Sequence, residues 1–255
     1  MFKNAIVRRP GRSLIQGITS ANLGKPVHND ALVQHDRYVQ ALERCDVNVT
    51  ILEAEETFPD SVFVEDTAVV TERCAVITHP GAKPRQGEEV SVEAALQRFY
   101  ASDSMESIRY PGTLEGGDVM RVGDHFYVGL SARTNEEGFR QFKGCLKKYG
   151  YTASPVRLER VLHLKTGVSY LETNTLLVAG EFMDCAAFAN FNRIIVDDSE
   201  AYAANSVWIN GTVLVPLGFP KTKAAIEQAG YRVLDVDVSE YRKLDGGLSC
   251  LSLRF

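Results

Sequence analysis

The feature that most constrains this chain is that it repeats itself. The stretch from Gly117, GDVMRVGDHFYVGLSARTNEEGFRQFKGCLKKYGYTASPV, has the same order of parts as the stretch from Asn205, NSVWINGTVLVPLGFPKTKAAIEQAGYRVLDV. Each begins at an acid or amide, runs as an alternating strand, turns at Gly-Asp or Asn-Gly, and returns as a second strand. Those turn dipeptides are strong hairpin signals. A helical stretch follows, Asn135 to Tyr149 in one copy and Thr222 to Ala229 in the other, and each ends in Gly-Tyr and a third strand. Gly150 and Gly230 sit where a helix C-terminal cap belongs. Partial copies start at Asp66, with a helix over Glu88 to Tyr100, and at Asn174. The opening FKNAIVRRP reads as a first strand, followed by a helix from Asn29 to Cys45 and VNVTILEA as a third strand. This makes about five ββαβ units. One such unit buries little alone, whereas radial closure leaves only short, protected edges. The expected fold class is α/β, a closed ring of these repeats forming one domain over residues 1–255. An ordinary open α/β sheet is the alternative. In a ring, equivalent hairpin ends converge, so Asp66, Asp118, Asn174 and Asn205 would line a pocket suited to a cation.

Composition narrows the function. The 255 residues suffice for a substantial core. A net charge of −5 disfavours nucleic acid and anionic membranes as partners and is compatible with a small cationic substrate. No run of apolar residues reaches membrane-spanning length, and MFKNAIVRRPGRS lacks the pattern of a secretion signal. The five cysteines are odd in number, widely spaced and without a CxxC, which argues against a disulfide framework or zinc ribbon. A reducing cytoplasm is the expected compartment.

A few residues have the chemistry for a site. Cys250 follows Gly246-Gly247, a pair that permits unusual dihedrals and close approach of backbone to a ligand. A nucleophilic thiolate and a small buried hydrophobe both remain open for it. For Cys45, Cys74, Cys145 and Cys185 the buried hydrophobe is expected. His163, in VLHLKTGVSY, is either a general acid/base or a satisfied core histidine. Glu115 and Asp118 flank two glycines in LEGGD, as a sharply turned acidic site or a solvated turn. Asp60, Glu65 and Asp66 lie in the apolar stretch FPDSVFVEDTAVV, where buried carboxylates need a cation. A guanidinium, whose planar fork matches carboxylates, is one answer. Arg85 and Arg133 sit in turns just before helices and are either carboxylate clamps or solvated arginines. There is no HExxH and no paired-histidine spacing, so no catalytic metal and no cofactor are expected.

Taken together, FPDSVFVEDTAVV, LEGGD, SARTN, VLHLKTG and LDGGLSCLSLRF resemble the dimethylarginine dimethylaminohydrolases of the guanidine-modifying (pentein) superfamily, over essentially the whole chain. The resemblance implies a five-bladed α/β propeller with pseudo-fivefold symmetry, in agreement with the repeats. It implies hydrolysis of Nω,Nω-dimethyl-L-arginine, or the monomethyl compound, to L-citrulline and the methylated amine through a cysteine thiouronium. Cys250 would be the nucleophile, His163 the general acid/base and Glu115 the carboxylate supporting it. Asp66 with Glu65 would bind the guanidinium, and Asp60 the amino-acid end. Arg85 and Arg133 would clamp the α-carboxylate. Backbone groups near Ile18 and Leu244 would complete the grip, with SLIQGITSANLG as a lid. The partner would be this small molecule, and the chain a monomer or homodimer. Related arginine and agmatine deiminases carry an aspartate two residues after the histidine, where this chain has Lys165. That difference favours a methylated guanidinium. A deiminase, an amidinotransferase and a non-catalytic binder of cationic amino acids are the alternatives.

Overall fold

The computed structural model describes residues 1–255. By contact density the chain divides into two compact units, Met1–Phe63 with Gly167–Phe255, and Val64–Thr166.

In the first unit, strand β1 (Asn4–Arg8) pairs in parallel with β2 (Asn48–Leu52) across helix α1 (His28–Glu43). The second unit holds two repeats. Strands β3 (Ala68–Val70), β4 (Ala75–Ile77) and β5 (Met105–Ser107) make one sheet, with α2 (Glu88–Leu96) between the last two. Strands β6 (Val119–Val122), β7 (His125–Leu130) and β8 (Thr152–Arg157) make the next, with α3 (Glu136–Lys148). After the short helix α4 (Leu164–Gly167), the first unit resumes with β9 (Val168–Tyr170), β10 (Thr175–Val178) and β11 (Asn192–Ile195). Strands β12 (Val207–Ile209), β13 (Thr212–Pro216) and β14 (Arg232–Val236) follow, with α5 (Pro220–Gln228). Helix α6 (Ser239–Arg242) and β15 (Leu253–Arg254) end the chain.

All five sheets have one topology. A middle strand takes an antiparallel neighbour on one side and a parallel one on the other. The middle strands β4, β10 and β13 are buried along their whole length, which is why AVI, TLLV and TVLVP are continuous apolar runs. The outer parallel strand β11 is largely exposed and β2 partly so. The expected Asn210-Gly211 turn has both residues at positive φ (48° and 91°), the geometry a two-residue hairpin needs. Separate apolar clusters fill each unit: Tyr38, Leu42, Leu214 and Tyr241 in the first, Phe126, Phe142 and Leu146 in the second. No helix is long and apolar enough to cross a membrane.

Two details differ from the sequence expectation. The opening strand is a middle strand, not a first one. Its antiparallel partner is the chain's own end, with Ala5 opposite Arg254 and Ile6 opposite Leu253. Asn174 does not head a hairpin but lies within the turn between β9 and β10. That turn uses three successive left-handed residues, Glu172, Thr173 and Asn174, with no glycine, so it carries no hairpin signal in sequence.

In each repeat the antiparallel first strand is reached through a short helical turn. These turns span Val64–Thr67, Gly116–Asp118, Leu164–Gly167, Asp198–Ala204 and Ser249–Leu251. They carry, or directly adjoin, Asp66, Asp118, His163, Asn205 and Cys250. The repeat therefore places one chemically distinctive residue at the head of every sheet.

Candidate active site

In the second unit, two head turns pack against each other. A β-carbon on Gly116 would stand 1.9 Å from the Glu65 carbonyl oxygen. One on Gly117 would meet His163 Nδ1 at 2.8 Å and Asp66 Oδ1 at 2.9 Å, so only glycine lets the imidazole and the carboxylate approach this backbone. Gly117 N–H donates to Asp66 Oδ1 at 2.9 Å, and Arg85 Nη1 donates to Asp66 Oδ2 at 2.5 Å. Arg85 also forks onto Glu88, from Nε at 3.1 Å and Nη2 at 2.7 Å to the same oxygen. Glu115 is fully buried. Its Oε1 accepts the Ala82 N–H at 3.0 Å and faces Arg133 Nη1 at 3.4 Å, while Oε2 meets His163 Nε2 at 2.7 Å. Lys165 pairs with Glu65 at 2.6 Å. Asp118 accepts the Ser131 hydroxyl at 2.6 Å and the Leu164 N–H at 2.9 Å, which fixes the backbone just after His163.

The electrostatics follow from these partners. Burial works against a charged His163, but Asp66, the Glu115 hydrogen bond and Asp118 outweigh it and raise its pKa to about 9. Burial also works against an ionised Glu115. The His163 hydrogen bond and the charges of His163, Arg85 and Arg133 overcome it and hold the carboxyl at about 2. Burial pushes Asp118 up despite His163 and its hydrogen bonds. At neutral pH the imidazole is a cation on an anionic partner, poised to give up a proton. The cluster sets five acids (Glu65, Asp66, Glu88, Glu115, Asp118) against four cations (Arg85, Arg133, Lys165 and the protonated His163), and burial disfavours the charged form of Asp118, so its charges nearly cancel. Asp66, Glu115 and His163 each bring one ligand-type atom within 4.8 Å of the others. A metal ion there would have to displace the His163 proton and sit beside two guanidinium groups.

The first unit holds the remaining candidates in two places. Ile18 N–H donates to both oxygens of Asp60 at 3.1 Å. A β-carbon on Gly17 would stand 2.8 Å from Asp60 Oδ1 and 2.9 Å from Leu244 Cδ1, so Ile18, Asp60 and Leu244 form one group. The expected lid segment is strapped to the same place: Thr19 Oγ1 donates to the Lys243 carbonyl at 2.8 Å and Ser20 N–H to Asp245 at 2.6 Å. The half-buried Cys250 closes a tight turn. Gly247 N–H points at its Sγ at 3.4 Å. Gly246 and Gly247 adopt no positive φ; Asp245 does, at 59°. The two glycines serve close approach instead, since β-carbons there would stand 2.2 Å from Phe63 Cε1 and 2.4 Å from Asn205 Oδ1. All five cysteines are free. Burial pushes the thiols of Cys45 and Cys74 up, and burial with the nearby Glu106 takes Cys145 up to about 11, so these three are held as inert thiols.

The sequence pattern of the family described as N,N dimethylarginine dimethylhydrolase, eukaryotic, matches residues 19–200. The N(G),N(G)-dimethylarginine dimethylaminohydrolase of Pseudomonas aeruginosa is 56% identical over 255 residues, 100% of both chains. The chain belongs to the dimethylarginine dimethylaminohydrolase family. A solved structure of the P. aeruginosa family member, a cysteine-to-serine variant complexed with citrulline, matches 100% of both chains at a TM-score of 0.98 and 55% identity. A histidine-to-glycine variant of a dimethylarginine dimethylaminohydrolase, an adduct with S-methyl-L-thiocitrulline, matches equally at a TM-score of 0.98, 55% identity and 100% of both chains. The mixed α/β fold of five like repeats is thus that of a dimethylarginine dimethylaminohydrolase.

Three contributors to this charged cluster are not apparent from the sequence. Glu88 shares Arg85 with Asp66; the three-residue spacing in PRQGE was the available signal. Asp118 was visible as an acid but not as the anchor of the His163 turn, and Lys165 not as the partner of Glu65. Both pairings join residues far apart in sequence, and nothing local announces them.

Proposed function

We propose that this chain hydrolyses Nω,Nω-dimethyl-L-arginine, and the monomethyl compound, to L-citrulline and dimethylamine or methylamine. The observation that carries the reading is the full-length likeness to an enzyme of that name. A protonated His163 held on the buried Glu115, placed to give a proton to a leaving amine, supports it on physical grounds.

In this reading the substrate's guanidinium is received by Asp66 and Glu65. Arg85 and Arg133 take its α-carboxylate, sharing their forks between that anion and the acids they already touch. Asp60, Ile18 and Leu244 hold the amino-acid end. The positive guanidinium favours a thiolate at Cys250. The sulfur attacks the guanidinium carbon, His163 gives its proton to the departing amine, and a thiouronium remains. Neutral His163 then takes a proton from water, hydroxide adds to the same carbon, and collapse expels the thiolate and releases citrulline as the hydroxyl proton leaves to solvent. Glu115 stabilises the imidazolium at both ends of the cycle. Lys165, by pairing with Glu65, lowers the negative charge offered to the guanidinium, which supports a methylated over an unsubstituted substrate. The catalytic domain is residues 1–255 as a whole, the compartment cytoplasmic, and the assembly a monomer or homodimer, with no metal or cofactor used.

Rapid quench with asymmetric dimethylarginine, followed by peptide mass spectrometry, tests the reading. The expected result is an adduct on the peptide bearing Cys250 with dimethylamine in solution. Wild-type turnover by Cys250→Ser would overturn it.

A further inference from the structure

The cysteine turn rests on a side chain for which the reaction above has no task. Asn205 is buried, and its carboxamide lies against the turn from two directions. Its Oδ1 accepts the Ser249 N–H at 2.9 Å, and its Nδ2 donates to Ser249 Oγ at 3.0 Å. The same Oδ1 would lie 2.4 Å from a β-carbon on Gly247, so the Gly247 backbone is seated directly on the amide. Gly247 and Cys250 close on each other. Gly247 N–H points at Sγ at 3.4 Å, and Cys250 N–H donates to the Gly247 carbonyl at 3.2 Å. One uncharged side chain therefore fixes the residue before the cysteine and the residue whose N–H touches the sulfur.

We propose that Asn205 is a positioning residue for Cys250, holding the Gly247 N–H on the sulfur so that the thiolate is favoured and aimed. The proposal rests on the reading of Cys250 as nucleophile. A hydrogen bond to the charged form of a thiol favours that form. A displacement of about 1 Å at a reacting group is enough to lower a rate about 100-fold. The identity of the residue fits the task. The heads of β3 and β6 carry acids, Asp66 and Asp118, whereas the head of β12 carries the uncharged isostere. A carboxylate at 205 would keep the acceptor for Ser249 N–H but set a negative charge beside the sulfur and disfavour the thiolate. Within this unit, Tyr38 donates its hydroxyl to the Leu248 carbonyl at 2.9 Å, and two further titratable groups face the turn. Tyr202 donates its hydroxyl to the Gly246 carbonyl at 2.7 Å, and Arg254 donates to the Ser249 carbonyl at 3.0 Å. Burial, then the Cys250 sulfur, push the Tyr202 phenol up, and a guanidinium stays charged, so neither titrates alongside the thiol.

The test is the pH dependence of Cys250 alkylation by iodoacetamide, read by peptide mass spectrometry on wild type, Asn205→Ala and Asn205→Asp, beside steady-state turnover of asymmetric dimethylarginine. Asn205→Ala is expected to move the alkylation midpoint up by about one pH unit. It is expected to lower kcat about 10- to 100-fold with KM changed little. Asn205→Asp is expected to move the midpoint further still. An Asn205→Ala midpoint that overlays wild type overturns the proposal, whatever the activity. If Asn205→Ala does not fold, Asn205→Asp decides by the same criterion. Failure of the functional reading would show separately, as wild-type turnover by Cys250→Ser, because alkylation reports on the sulfur without any turnover.

Discussion

The His163 cluster and the Cys250 turn are held by different forces. The cluster is a set of buried charges that neutralise one another: Arg85 between Asp66 and Glu88, His163 on Glu115, Lys165 on Glu65. The turn contains no ion pair. It is fixed by two glycines pressed against Phe63 and Asn205, by neutral hydrogen bonds from Asn205 and Tyr202, and by one from the Arg254 guanidinium to the Ser249 carbonyl. The difference teaches how one repeat serves two needs. A proton donor gains from surrounding charge, because charge sets its pKa. A sulfur nucleophile gains from fixed geometry with few anions nearby. The cluster should accordingly be sensitive to charge and pH and the turn to volume.

The hardest test of that contrast is Arg85→Met. It keeps the bulk but leaves Asp66 and Glu88 buried without their shared cation, and removing one partner of a buried ion pair costs about 3–5 kcal/mol. Urea unfolding should show a loss of that size. A loss below about 1 kcal/mol, the range of exposed pairs, would mean the cluster is not held by charge. The next test is pH. The folded pKa of His163 lies above its ordinary value, raised from 6.5 to about 9. Its favourable contribution is therefore complete below about pH 6.5 and disappears as pH rises through about 9. The stability difference between wild type and His163→Asn should shrink by about 3 kcal/mol across that window. A difference that stays constant from pH 6 to pH 10 would contradict the assigned pairing with Glu115.

The same contrast explains what could be read in the sequence. The repeats starting at Gly117 and Asn205 were the most legible because each has a turn dipeptide, a helix and a glycine stop, all local signals. The repeat with the glycine-free turn at Glu172–Asn174 was misread, as was the sheet completed by the chain's last residues. The Cys250 loop announced itself through two adjacent glycines, although for a different reason than expected. They are needed to let Phe63 and Asn205 come close, not to reach unusual dihedrals. The charged cluster showed only its members. Which acid meets which base depends on chain segments such as 65 and 165, or 115 and 163, that only folding brings together.

On the turn side, Gly246→Ala tests shape against charge. Its added methyl would stand 2.2 Å from Phe63 Cε1, and overpacking of this kind costs about 1–3 kcal/mol. Because no titratable pair is involved, that loss should be the same at pH 6 and pH 9, unlike the His163 effect. A Gly246→Ala penalty that varied with pH by more than about 1 kcal/mol would tie the turn to the titrating cluster and weaken the distinction.

The smallest expected change lies in selectivity. Lys165 is partly exposed but Glu65 is buried, so Lys165→Met should cost more stability than the roughly 1 kcal/mol of an exposed pair and less than Arg85→Met, which strips two buried acids. It should also alter recognition. Glu65 sits beside Asp66 on the same turn, and without its ammonium partner it can accept a charge-assisted hydrogen bond from an unsubstituted guanidinium nitrogen. A dimethylated nitrogen has no N–H to give it. One such bond, about 1.5 kcal/mol, corresponds to roughly a tenfold change. The ratio of kcat/KM for arginine to that for asymmetric dimethylarginine should therefore rise about tenfold in Lys165→Met, with the dimethylated substrate changed little. If both substrates move together, the pair merely braces the His163 turn, and the discrimination belongs to other residues of the charged cluster.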